Sequence, residues 1–337
     1  MDLIPESNGI KKVRMKKEIT KVQRIKRFFI IVASIVLFGV FVQIISNFIG
    51  NETVSSSLYY AKIDSKKIEY KTGGSGDFTV VFDGAIGSIL YQWSDICEKL
   101  EEDLGVKTFV YNRRGYGFSD SSSLETPEKQ AENLKKLLRK AGVSGNLILV
   151  GEEYGSLVSS SFINLYPESV KGMVLINPYS EKELQTKEFK NDIKWTYYNS
   201  KVARLGTMIG VTMLLDKLDM TYEVESLVDK LPKSIAEEYR VKRNQKGYRQ
   251  AISNELEVLY NYNGNSQKDN LAENIPLYII SKNENESLVS LGKEDLTTLY
   301  VSESENKVLS LSNEDAVINA ITNVVKSARK IEKKLNG

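Results

Sequence analysis

The sequence predicts an α/β protein: a mostly parallel central sheet flanked by helices, with a helical cap insertion and a transmembrane helix ahead of it. Three observations lead there. Between residues 78 and 178, short apolar runs alternate with stretches of helical spacing. Residues 180–270 then carry no convincing strand pattern. Ahead of both, Phe28 to Ile49 form an uncharged run of about twenty residues, enough at 1.5 Å per residue to cross a hydrocarbon layer of about 30 Å.

The N-terminal part is read from its charge. Residues 1–27 hold nine Lys or Arg and three Asp or Glu, a sum of +6, so the rest of the chain carries +2 − 6 = −4. Lys16, Lys17, Lys21, Arg24, Lys26 and Arg27 precede the apolar run, and such clusters stay cytoplasmic. A cleaved signal peptide has a shorter apolar stretch and a small-residue exit site, which "SNFIGNETVSSS" lacks. The expected organisation is therefore a cytoplasmic tail (1–27), an anchor in the lipid bilayer of the cell membrane (28–49), a spacer (50–56) and an extracytoplasmic domain (57–337). Asn51-Glu52-Thr53 fits a glycosylation acceptor, which matters only in a host that glycosylates. The mildly acidic domain offers no nucleic-acid surface.

The domain opens with "LYYAKI" and "KKIEYKT", a hairpin turning at Asp64 and Ser65. "FTVVFDG" (78–84), "KTFVYNRRG", "NLILVGE" and "KGMVLINP" read as buried parallel strands, short and nearly continuous in apolar residues. Between them lie helices over 92–105, stopped by Gly105, over "TPEKQAENLKKLLRKAG", with Thr126 as cap and Pro127 in the first turn, and over 154–166. "GSGD" (74–77) lacks phosphate-loop spacing and makes a turn. The insertion at about 180–270 includes "MIGVTMLLDKL", expected as an apolar cap helix covering the main domain. Strands resume with "PLYIIS" (276–281) and "KVLSLS" (307–312), and a last amphipathic helix starts near Glu314.

Two absences bound the chemistry. Cys97 is the only cysteine, which excludes an intrachain disulfide and a cysteine metal cluster. The chain has no histidine, the usual general base of hydrolases and the commonest zinc ligand. No cofactor and no metal are expected. A carboxylate site of Asp83, Glu152 and Glu153 lacks regular ligand spacing, and adjacent glutamates at a sharp turn rarely face one substrate as a glycosidase pair must.

The sequence "LILVGEEYGSL" places Gly151-Glu152-Glu153-Tyr154-Gly155 between a strand and a helix. With "VVFDGAIGSILYQW", "YNRRGYGFSDSS" (111–122) and "YPESVKGMVLINP" (166–178), it resembles the α/β-hydrolase superfamily, in particular its membrane-anchored bacterial members. Residues 57 to about 330 carry the resemblance. It implies an α/β-hydrolase fold whose nucleophile elbow, G-x-S-x-G, has Glu153 for serine. Glu152 replaces the histidine before it, Asp83 the histidine of the oxyanion loop and Asn112 an aspartate. The resemblance also implies oxyanion donors at Tyr154 and near Gly84 and Ala85, the family acid at Glu284 or Glu286, and Lys307 at the histidine position.

Such an elbow implies a pseudo-hydrolase. Serine there needs a base. Glu153 is already an anion, but an ester formed on it would still need a base to activate water. A lysine, with an ordinary pKa of about 10.4, stays protonated beside a carboxylate. The expectation is that Glu153 pairs with Lys307 and locks the old pocket. Asp83, Glu152, Arg113 and Arg114 are candidate pocket residues, the two arginines either binding an anion or fixing loops by ion pairs. Tyr111, Tyr154 and Trp93 line a pocket or belong to the core. The function expected is binding of a small molecule, peptide, lipid or protein partner. The alternatives are a non-standard hydrolase using Glu153 and a purely structural surface protein.

Overall fold

The computed structural model describes residues 20–52, 59–224, 226–282, 286–304 and 308–336. Its first hairpin joins β1 (Tyr59–Ile63) to β2 (Lys66–Gly74) through Asp64 and Ser65, whose φ angles are 49° and 65°. Two consecutive left-handed residues match the twist of the flanking strands, which fixes this register. The remaining strands are β3 (Thr79–Asp83), β4 (Lys107–Tyr111), β5 (Leu147–Glu152), β6 (Val170–Ile176), β7 (Leu277–Ser281) and β8 (Thr297–Val301). They form one eight-stranded sheet in the order β1-β2-β4-β3-β5-β6-β7-β8. The β1–β2 and β2–β4 pairs are antiparallel and every other pair is parallel.

The helices follow in chain order. α1 (Lys21–Glu52) includes Lys21–Val42, a stretch long and apolar enough to cross a membrane. α2 (Ser94–Leu104), α3 (Pro127–Lys140) and α4 (Tyr154–Leu165) connect strands. Thr126 caps α3 by accepting from the Lys129 N–H, and Gly105 ends α2 at φ 55°. Between β6 and β7 lie α5 (Glu181–Leu184), α6 (Lys187–Gly206), α7 (Val211–Lys217), α8 (Leu227–Lys230), α9 (Lys233–Lys242) and α10 (Lys246–Tyr260). α11 (Glu286–Val289), α12 (Leu309–Ser312) and α13 (Glu314–Asn336) complete the chain.

Strand alternation divides the core into two layers. Leu147 and Leu149 of β5 face α3, α4 and the cap, where Leu134, Leu137, Leu157 and Phe162 pack. Ile148 and Val150 face α2 and α13, against Trp93, Ile96, Leu100, Ile321 and Val325. Successive β5 side chains point to opposite faces, so the same alternation carries Glu152 to the α13 side. Glu153, one residue later, starts the turn on the opposite face.

Two expectations need correction. The last strand is Thr297–Val301, not 307–312. Residues 309–312 form α12, because Leu309 and Leu311 enter different core layers while Ser310 is drawn to Glu152. "MIGVTMLLDKL" does not cover the main domain either. α7 is short, and Met208, Leu214 and Leu218 are exposed around it.

Candidate functional site

The elbow is present in full backbone form. Glu153 has φ 47° and ψ −108°, a conformation that costs a non-glycine residue of order 1–3 kcal/mol. It is held between β5 and α4. The Glu153 N–H donates to the Ile176 carbonyl at 2.9 Å, and the Glu153 carbonyl accepts from the Ser156 N–H at 3.1 Å. The flanking glycines have steric reasons. A Cβ on Gly151 would meet the Gly155 carbonyl oxygen, and one on Gly155 would press into the carbonyl of Asp83. The turn thus packs α4 directly on the end of β3.

The Glu153 side chain is buried at the start of the 12-residue α4, where the helix dipole favours its negative charge. The Asn177 amide donates to its Oε1 at 3.4 Å. Tyr179 and Tyr222 lie close by; burial first, and then the Glu153 carboxylate, push both phenols well above their ordinary value. Glu284 and Lys307 lie outside the described residues, as does the side chain of Glu286, whose backbone opens α11. The expected Glu153–Lys307 pair therefore falls outside them too.

Glu152 points to the other side of the sheet. Its Oε1 accepts from the Ser310 N–H at 2.9 Å, and its Oε2 from the Ser310 hydroxyl at 2.6 Å and the Gln92 amide at 3.1 Å. Burial nevertheless pushes its carboxyl up to about 7, against the pull of these hydrogen bonds. Glu152 is thus a clasp holding α12 to the end of β5.

Under the oxyanion loop sits Arg113. Its guanidinium pairs with Asp83 and with Glu255 of α10, the latter at 2.8 Å from Nε. It also donates to the carbonyls of Gly84 at 2.7 Å and Ala85 at 2.9 Å. Rings of Tyr116 and Tyr154 lie 5.5 and 5.1 Å from its Cζ. The Tyr111 hydroxyl donates to Asp83 at 2.6 Å and the Tyr116 hydroxyl to Glu255 at 2.7 Å. Burial opposes the Arg113 charge, but Glu255 and Asp83 override it and hold the guanidinium firmly protonated. Arg114 pairs with Glu125 at 3.1 Å and donates to the Ile63 carbonyl. Both arginines fix loops by ion pairs. Trp93 and Tyr154 are core residues.

The cap rests on this loop. Tyr248 donates to the Gly87 carbonyl and shares a 2.9 Å hydrogen bond with Tyr239. Val224 and Ile252 lie beside the same glycine. Among the described residues, neither Glu153 nor Asp83, Glu152, Arg113 or Arg114 lines any of four surface cavities. One of these, about 320 Å³, is polar and lies between Ser180–Lys182, Asn263–Asn265 and Ser287. Among the described residues no cluster of three or more Asp, Glu or Cys could hold a metal ion.

Sequence reasoning missed Glu255, Tyr116, Gln92 and Ser310 as parts of this centre. Glu255 and Tyr116 lie within helical or loop patterns that fit a solvated face equally well. Only the buried Arg113, in a loop at a strand end, signals that a distant carboxylate must meet it.

Known proteins agree with this architecture. The profile of the alpha/beta hydrolase fold family matches residues 80–330. The uncharacterized protein YqjL of Bacillus subtilis is 28% identical over 111 residues, 33% of this chain and 43% of YqjL. The match thus spans less than half of that relative's length. Among solved structures, the α/β hydrolase MGS-M2 from a Medee basin deep-sea metagenome library aligns at TM-score 0.60 and 15% identity, covering 80% of this chain and 97% of its own. The enol-lactonase of Burkholderia xenovorans aligns at 0.58 and 14%, covering 80% and 100%. A thermophilic esterase of Thermogutta terrifontis aligns at 0.57 and 14%, covering 81% and 99%. At such identities the structures speak for the fold alone. With the sheet order, the elbow and the matched profile together, the chain belongs to the α/β-hydrolase fold family.

Proposed function

We propose that this protein is a membrane-anchored, catalytically silent member of its family, acting as a binding module for a partner at the outer face of a cell membrane. The observation that carries the reading is the elbow itself: Glu153 occupies the nucleophile position in a chain without any histidine. An acid in that place needs no base to become an anion. Yet a covalent ester on it would have no histidine to activate water for its release.

The cap favours a partner over a substrate in the old cleft. Tyr222 of the cap lies within electrostatic reach of Glu153, Tyr248 donates to the Gly87 carbonyl, and α10 is tied to the oxyanion loop through Arg113 and Glu255. A cap held in this way suits a rigid surface module. Lys21–Val42 supplies the membrane attachment, and the basic residues before and at its start favour a cytoplasmic N-terminus.

The test uses the full chain in detergent micelles. Native protein and Glu153→Gln are given ester, thioester, amide, epoxide and haloalkane substrates and a fluorophosphonate probe. The expected result is background turnover in both and no labelling. Turnover in the native protein that disappears in Glu153→Gln would overturn the reading and make Glu153 catalytic. Protease added outside intact cells should remove the domain and spare the N-terminal tail.

A further inference from the structure

The cap carries an apolar surface that the fold leaves uncovered. Trp195, Tyr198, Val202 and Leu205 recur at intervals of three and four along α6, so they form one stripe. That stripe faces outward: Trp195 is 75% exposed and Leu205 66%. It runs on into the turn before α7, where Met208 is 63% exposed, and into α7, where Leu214 is 59% exposed. From Leu205 to Leu215 the chain holds no charged residue. Exposed apolar patches of this kind mark an interaction surface.

The occupant is indicated by what touches the tip. A Cβ on Gly39 of α1 would meet the Ile209 carbonyl, and one on Gly210 would meet the Gly39 carbonyl. Two glycines thus let the backbones of α1 and the cap tip come together. Among the α1 residues whose burial is described, Val36, Gly39, Val40 and Val42 are partly covered and lie on one face of the helix, the face that Gly39 turns to the cap. Gly39 lies at the middle of the uncharged run Phe28–Ile49.

We infer that the tip formed by the end of α6 and by α7 is immersed in the same bilayer as α1, in the leaflet on the domain's side. The inference rests on reading α1 as a membrane anchor. The depth is consistent along α6. If Gly39 sits near mid-bilayer, Ile209 does too. Tyr198 lies 209 − 198 = 11 residues up the chain, or about 16 Å at 1.5 Å per residue, which is near the half-thickness of the hydrocarbon layer. Tyr198 and Trp195 then fall at headgroup level, where amphipathic aromatics prefer to sit. Polar groups of the tip are satisfied internally: the Thr207 hydroxyl donates to the Arg204 carbonyl at 2.7 Å and the Thr212 hydroxyl to the Ala203 carbonyl. Of the charges around the uncharged run, Arg204 and Lys217 have long stems that can lift them toward the headgroups, and Asp216 is paired with Arg243 and Arg249.

The test places a bimane label at Leu205→Cys, Leu214→Cys, Ile35→Cys or Lys62→Cys, each in the full chain with Cys97→Ala. Protein is reconstituted in phosphatidylcholine–phosphatidylglycerol vesicles and quenched by doxyl-labelled lipid or by aqueous iodide. Labels at 205 and 214 should lose emission to doxyl lipid as strongly as the label at 35 and be shielded from iodide. The label at 62 should respond to iodide alone. Labels at 205 and 214 that respond to iodide, with 35 quenched by lipid, would overturn the inference and leave the anchor standing. Shielding from both quenchers would also overturn it, in favour of a second protein copy on the patch. No lipid quenching at 35 would remove the anchor reading and this inference with it.

Discussion

Replacing Glu152 by Gln should flatten the fall of stability with pH between about 4.5 and 7 by the share that Glu152 contributes. The carboxyl titrates at about 7 in the folded chain against an ordinary value of 4.5, because burial disfavours its charge. The folded state therefore binds more protons than the unfolded state across that interval. The sign follows: stability is undiminished below 4.5, falls as pH rises, and the loss is complete above about 7. A difference of 2.5 pH units at about 1.4 kcal/mol each gives a loss of about 3 kcal/mol. Glutamine keeps the shape without the charge. Its oxygen can accept from the Ser310 N–H and its amide can donate to the Ser310 hydroxyl. Gln92, whose Oε1 is buried without a partner, can turn its own amide over to meet the new donor. The variant should match the native protein near pH 4.5 and exceed it by about 3 kcal/mol at pH 8. Urea unfolding in detergent, followed by the fluorescence of buried Trp93 from pH 4.5 to 8, measures both. A residual slope of the same sign is expected from Glu238, raised to about 7 by burial and then by Glu69. Equal slopes in native and variant protein would refute the reasoning.

Three further outcomes follow from the same geometry. Glu153→Gly should be more stable than Glu153→Ala by about 1 kcal/mol in urea unfolding, because both remove the carboxylate but only glycine relaxes the strained φ. Equal midpoints would show that the turn is not strained. Arg113→Met should cost at least about 3 kcal/mol, since it leaves Asp83 and Glu255 buried without their cation; a cost under about 1 kcal/mol would contradict the buried cluster. Gly155→Ala should cost about 3 kcal/mol, measured the same way, as its Cβ has no space between α4 and the end of β3.

The parts of the fold legible in the sequence are those set by neighbours along the chain. Asp64 and Ser65 turn a hairpin, Thr126 and Pro127 start α3, and Gly105 ends α2, each by local backbone preference. The elbow is legible for the same reason, as strand, turn and helix are contiguous. What escapes is set by distance. Glu255 meets Arg113 across 142 residues, and no local pattern separates it from a solvated glutamate on α10. Leu309 and Leu311 alternate as in a strand, yet they are pulled into two core layers by the tie between Ser310 and Glu152. The apolar run before Asp216 reads as a covering helix. Its partner is not the domain, so hydropathy alone misplaces it.

The tie between Arg113 and Glu255 also determines whether the cap can act as a door. Swinging α10 away would strand a carboxylate and loosen a guanidinium in an apolar surrounding, at a cost of about 3 kcal/mol or more. At that cost fewer than about one molecule in a hundred stands open at any moment, and a visitor to the cleft would bind at least a hundredfold more weakly than its contacts allow. Amide protons of α10 that opening would expose should accordingly be protected from exchange by at least about a hundredfold. The cap thus acts on the cleft as a wall rather than a door.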